Sequence, residues 1–138
     1  MIRVVIDTNI FVSSFFGGYP RKIISYWKNR KLLLCLSRPI VDEYFKVFQR
    51  LGLGTKEQFK ELVSLFANGY NIVFTSKTPE LKIVENDPDD DKFIECAVAL
   101  NGDYIISGDK HLLDIQKYIN IKIVTPKQFM DIFTVKSR

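Results

Sequence analysis

Hydrophobic and polar positions along the chain fall into blocks whose period switches between that of a strand and that of a helix. The first block, Ile2 to Ile6, carries Val4-Val5-Ile6 without interruption and reads as a strand covered on both faces. A loop with Gly17 and Gly18 follows, and Pro20 suits the first turn of a helix running to about Arg30. Leu32 to Leu36 is a second buried strand, after which Ser37 caps a helix from about Pro39 to Leu51, ended by Gly52 and Gly54. Thr55 with Gln58 three residues on spells a capping box for a helix from Lys56 to about Asn68. Asn71 to Thr75 is a third strand, and Ser76 to Pro88 an irregular connection. Asp89 or Asp90 then starts a helix to Leu100, which Asn101-Gly102 stops. Tyr104 to Ser107 is a fourth strand. A helix from about Lys110 to Tyr118, a short strand Ile121 to Val124 and a last helix opened by Thr125, Pro126 and Gln128 complete the pattern.

Strands separated by helical segments require crossovers, so the pattern predicts an α/β fold with a mainly parallel central sheet in a three-layer α/β/α arrangement. In such sheets the ligand crevice lies beyond the carboxyl ends of the strands, which locates any chemistry before a motif is named. The 138 residues make a single domain, 1–138. The apolar runs are all far shorter than the ~20 residues that cross a bilayer. Met1-Ile2-Arg3 leads straight into the first strand without the features of a signal peptide, so the expected location is cytoplasmic. Cys35 and Cys96 stand apart inside apolar segments, as buried thiols in a reducing compartment do, and with one histidine they argue against a structural zinc site.

The net charge of +4 conceals an asymmetry. Glu85, Asp87, Asp89, Asp90 and Asp91 fall in one seven-residue stretch without a base; removing these five of the 16 acids leaves 11 against 20 bases, a net +9 elsewhere. A basic surface around an acidic focus fits an anionic substrate held near a cation site. Asp7 follows the first strand directly and Asp109 follows the fourth after Gly108, so both project at the crevice edge. Asp91 lies in the first turn of a helix pinned to the sheet by Phe93, Ile94, Ala97 and Val98. Glu43 flanks the apolar stripe of its own helix, three residues after Ile40 and four before Val47. Four ionised carboxylates share a crevice only with raised pKa values or a cation, and oxygen-only ligands select Mg²⁺ or Mn²⁺. The residues alone leave open which of Asp89, Asp90 and Asp91 turns inward.

Val4-Val5-Ile6-Asp7-Thr8-Asn9, the Glu43 helix, the run Asp87 to Phe93 and Ser107-Gly108-Asp109-Lys110-His111-Leu112-Leu113 resemble, in this order, the PIN-domain family, and most of all its bacterial toxin components of toxin-antitoxin modules. The resemblance implies a PIN-like fold and a Mg²⁺- or Mn²⁺-dependent endoribonuclease cleaving single-stranded RNA. It places the catalytic and metal-binding acids on Asp7, Glu43, Asp91 and Asp109, and supporting polar groups on Asn9 and Ser107. It further implies a small antitoxin protein as partner and a homodimer as a common assembly. Lys22, Lys28, Arg30, Lys31, Lys46, Arg50 and Lys110 are the bases offered to RNA phosphates, and Tyr19, Tyr26 and Trp27 the aromatics offered for stacking, against a core role that helical spacing favours. His111 reads as a loop residue.

Two other readings share part of the pattern. A haloacid-dehalogenase-type phosphatase would also set Asp7 after its first strand and Gly108-Asp109, with Asp114, late in the chain; its second acid would stand two residues after Asp7, where this chain has Asn9. A non-enzymatic metal- or phosphate-binding switch module would want paired acids at the first strand's end, and only Lys110 fits its late lysine.

Overall fold

In the computed structural model, which describes residues 1–85 and 87–136, Val4, Val5 and Ile6 are wholly buried in the central strand β1 (Arg3–Ile6). Their apolar run is covered on both faces, as a parallel strand between helices must be. The remaining strands are β2 (Leu33–Ser37), β3 (Ile72–Thr75), β4 (Tyr104–Ile106), β5 (Lys117–Tyr118) and β6 (Ile121–Val124). They form one six-stranded sheet in the order β3-β2-β1-β4-β6-β5. Each neighbouring pair is parallel except β5 with β6. The chain therefore builds outward from β1 through β2 to β3, then returns to place β4 on the other side of β1. The strand order switches between β1 and β4, and that is where a parallel sheet opens its crevice.

The helices surround the sheet. They are α1 (Thr8–Ser13), α2 (Gly18–Lys28), α3 (Arg38–Arg50), α4 (Glu57–Ala67), α5 (Asp91–Ala99), α6 (Lys110–Leu113) and α7 (Pro126–Lys136), with a 3-10 turn at Pro88–Asp90 leading into α5. Helix α5 packs on β1, β2 and β4. Its approach to β4 is close: a Cβ on Gly102 would stand 3.2 Å from both Cα and Cβ of Ala97. Asn101 takes the left-handed turn there, at φ 54°, so the pair that stops the helix divides its work between conformation and clearance. Phe11, Trp27, Tyr44, Phe48 and Phe66 interlock α1, α2, α3 and α4 through ring contacts. Tyr44 also donates its hydroxyl to the Ile6 carbonyl, tying α3 to the end of β1.

Several elements differ from the sequence pattern. Thr8–Ser13 is a helix rather than loop; Asp7 caps it, accepting from the Ile10 amide at 3.0 Å. The helix expected from Lys110 to Tyr118 stops at Leu113, and Lys117–Tyr118 pairs antiparallel with β6 instead. The Thr55–Gln58 box does not form: Lys56 is the N-cap of α4 and no side chain caps it. The matching box at α7 does form, with Thr125 N–H donating to Gln128 Oε1 at 2.9 Å and Gln128 N–H to Thr125 Oγ1 at 3.1 Å. Cys35 and Cys96 are free and buried, and burial pushes both thiols up to about 12.

Candidate metal centre

Parallel pairing brings the ends of β1 and β4 side by side, and the first polar residues after each strand meet there. Asp7 is 4% exposed. One of its oxygens caps α1 through the Ile10 amide, and the other accepts from the hydroxyl of the buried Ser107. The same hydroxyl oxygen accepts the Asp109 amide at 2.9 Å, so Ser107 links the two strand-end acids. Burial raises the pKa of Asp7 against the lowering effect of the Ser107 and Ile10 hydrogen bonds, and the nearby Asp109 charge raises it further. Asp109 caps α6, one oxygen accepting from the amides of His111 at 2.8 Å and Leu112 at 3.3 Å. Asn9 is exposed in the first turn of α1 and does not join this network.

The acidic stretch enters the crevice through Asp90. One oxygen each of Asp87, Asp90 and Asp109 lies within 4.8 Å of the other two. Asp90 Oδ2 is buried with no hydrogen-bond partner, an arrangement that needs a cation or a proton. Burial, followed by the charges of Asp109, Asp87, Asp7 and Glu43, pushes its pKa up to about 7. The donors are all carboxylate oxygens, so the set fits a hard divalent ion such as Mg²⁺ or Mn²⁺.

Asp91 stands elsewhere. Its buried carboxylate accepts from the amides of Ile83 at 3.1 Å and Val84 at 2.8 Å. Glu95, one turn further on the same face, accepts from the Leu81 amide at 2.7 Å. The two acids clasp the irregular connection to α5, while the neighbouring carboxylate of Asp90 turns to the crevice. The signal for this was present in the helix phase: Asp90 shares the Phe93, Ile94 and Ala97 stripe that packs on the sheet, whereas Asp91 shares a face with Glu95.

Glu43 reaches the centre from the second turn of α3. It accepts from the Thr8 hydroxyl on one oxygen and from Lys92 Nζ, at 2.5 Å, on the other. Lys92 also contacts Asp89 Oδ1 at 3.2 Å. Burial alone would lower the pKa of Lys92; the hydrogen bonds and charges of Glu43 and Asp89 together outweigh it and raise the value. Neither Thr8 nor Lys92 was among the sequence candidates.

The bases and aromatics expected on RNA divide by position. Lys110 follows Asp109 at the carboxyl edge and is exposed. Arg30 and Lys31 immediately precede β2 and so lie at the opposite, amino edge, with Arg30 over the Tyr70 ring and Lys31 over that of Tyr26. Lys28 pairs with Glu61; Lys22, Lys46 and Arg50 are exposed on α2 and α3. Trp27 is wholly buried and Tyr26 packs on Phe133, so of the three aromatics only Tyr19, 43% exposed, is open to a base. His111 is exposed in the first turn of α6 rather than in a loop.

The PIN domain family model matches residues 3–111, from the start of β1 to the residue after Lys110. The chain belongs to the PIN-domain family. It is also 33% identical to an uncharacterized protein of Methanocaldococcus jannaschii, over 96% of this chain and 92% of that one. PIN domains are generally metal-dependent nucleases, and the three converging aspartates supply a cluster able to bind metal. Among the described residues, no helix of this PIN domain is long and apolar enough to cross a membrane.

Proposed function

We propose that this PIN domain is a cytoplasmic endoribonuclease that cuts single-stranded RNA with Mg²⁺ or Mn²⁺, as the toxin of a toxin-antitoxin pair. The observation that carries the nuclease reading is the convergence of Asp90, one of whose oxygens is buried and partnerless, with Asp109 and Asp87 at the switch point of the sheet. Asp87, Asp90 and Asp109 would hold the ion. Once bound, the ion supplies an activated water and neutralises the phosphodiester charge. Asp7 adjoins the site at the end of β1, linked to Asp109 through Ser107, and its hydrogen bonds with Ser107 and Ile10 fix where its charge stands. Hydrolysis adds water across the P–O3′ bond, so the products carry 5′-phosphate and 3′-hydroxyl ends. In this reading Asp90 takes the place that the family resemblance gave to Asp91.

Topology also supports a polyanion as substrate. Reading along the carboxyl edge from β3 to β6, the exposed bases Lys77 and Arg38 come before Asp7, and Lys110 and Lys127 come after Asp109. A strand of RNA crossing the edge would find cations on both sides of the acids. The toxin role rests on family resemblance and implies a small antitoxin protein able to cover the acidic crevice, with a homodimer as the expected assembly. The deciding experiment is incubation of purified protein with labelled single- and double-stranded RNA in chelator, Mg²⁺ and Mn²⁺. Metal-dependent cutting of the single strand alone is expected; cutting that persists in chelator sinks the reading.

A further inference from the structure

The acidic centre already holds one cation of its own. Lys92 is the second residue of α5, and its ammonium lies 2.5 Å from Glu43 Oε1 and 3.2 Å from Asp89 Oδ1. Only 14% of its side chain is exposed, against 63% for Lys60 in its ion pair on the surface of α4. An ammonium withdrawn that far from water is held there by carboxylates. Glu43 is engaged on both oxygens, by Lys92 and by the Thr8 hydroxyl. Among the described residues, by contrast, no base forms an ion pair with Asp87, Asp90 or Asp109. The centre thus has two halves: three aspartates without a counter-ion, and a glutamate with one built in.

We propose that this protein uses a single divalent ion, on Asp87, Asp90 and Asp109, and that the Lys92 ammonium fills the second cation position beside Glu43. The inference rests on the nuclease reading for the divalent half. It follows from charge. At a given spacing, a divalent ion and an ammonium repel half as strongly as two divalent ions, so a lysine lets the centre keep two positive poles with fewer carboxylates to balance them. Lys92 acts as a positioning residue: it fixes Glu43 and keeps that carboxylate off the divalent ion.

The test is the stoichiometry of Mn²⁺ binding, measured by calorimetry and equilibrium dialysis on the wild type, Lys92→Ala and Lys92→Arg, with single-stranded RNA cleavage followed in parallel. The wild type and Lys92→Arg are expected to bind one ion per chain, and Lys92→Ala two, the additional ion taking the place of the lost ammonium. A wild type that binds two ions, or a folded Lys92→Ala that binds one with unchanged affinity, overturns the role of the lysine while leaving the nuclease reading in place. If Lys92→Ala does not fold, Glu43→Gln decides: it is expected to keep the single ion that Asp90→Asn loses, and a Glu43→Gln that loses Mn²⁺ as completely as Asp90→Asn puts Glu43 on the ion and overturns the inference. A wild type that binds no Mn²⁺ and cuts no RNA overturns both.

Discussion

Two adjacent aspartates, Asp90 at the end of the 3-10 turn and Asp91 at the start of α5, send their carboxylates to different places. Asp91 satisfies two backbone amides, Ile83 and Val84, so Asp91→Ala should cost about 1–3 kcal/mol for buried N–H groups left unpaired, whereas Asp91→Asn, which keeps an acceptor oxygen, should cut RNA within tenfold of the wild-type rate. Asp90→Asn should abolish cleavage. Comparing both asparagine variants in one cleavage assay checks the assignment, and an inactive Asp91→Asn beside an active Asp90→Asn would reverse it. Asp90 also makes a pH prediction for the metal-free protein. Its pKa rises from 3.8 to about 7 on folding, so the folded state binds the proton more tightly. The stabilisation from that proton is complete below about pH 4 and is lost as pH climbs through about 7. Urea denaturation in chelator from pH 4 to 8 should therefore show the wild type weakening across this window and Asp90→Asn holding a flatter curve, more stable than the wild type at pH 8. Parallel curves would show that Asp90 carries no such burden. Of the candidate site, Asp7 and Asp109 were legible because a parallel sheet puts strand-end residues in its crevice, and Ser107 only through the family resemblance. The choice between Asp90 and Asp91 was carried only by helix phase, a signal that is weak where a 3-10 turn hands over to α5. Lys92 was hidden for a different reason: a lysine in an acidic run looks like solvated charge until its burial is known.

At the scale of elements, the strands were legible and the short helices were not. Val4 to Ile6, Leu34 to Leu36 and Tyr104 to Ile106 are apolar without a break because both faces of their strands are covered. Helix α1 escaped because its six residues, Thr8 to Ser13, include three β-branched residues and an aromatic and are too short to form on propensity alone. Its stability comes from the Asp7 cap and from Phe11, which is 1% exposed among the rings of α2, α3 and α4. At the other end, Lys117–Tyr118 follows Gln116, whose φ of 65° breaks the helix the pattern had extended through it. The two capping-box sequences offer a controlled comparison. Thr125 is bonded reciprocally with Gln128, while Thr55 stands one residue before the N-cap of α4 and caps nothing. Thr125→Ala should cost about 1 kcal/mol and Thr55→Ala close to nothing, read from denaturation midpoints at unchanged slope. Equal losses would mean that the α4 box forms in solution after all.

Charge organises the whole molecule into an acidic crevice between two basic flanks, and the sheet explains why the flanks are where they are. Parallel strands send the chain out of the carboxyl edge after every strand, so a base placed just beyond a strand stands on that edge, and a base placed just before one stands on the other. Arg38 and Lys110 are of the first kind; Arg30 and Lys31 are of the second. Neighbouring strands are about 4.8 Å apart, so the edge from β3 to β6 spans roughly 19 Å, enough for a few phosphates of an extended single strand. RNA binding to the Asp90→Asn variant, which cannot cut, isolates this contribution. Its affinity should fall steeply with salt, the slope of log K on log salt being about −0.7 for each phosphate neutralised. Replacing Arg38 and Lys110 together by alanine should weaken binding and shallow that slope by about 1.4, two contacts' worth. Replacing Arg30 and Lys31 lowers net charge by the same amount at the opposite edge, out of reach of the strand, and should change the slope little. The pairing separates a track from a general attraction. If both double variants lose affinity equally, the net charge of the molecule draws in the RNA and the carboxyl edge does not guide it.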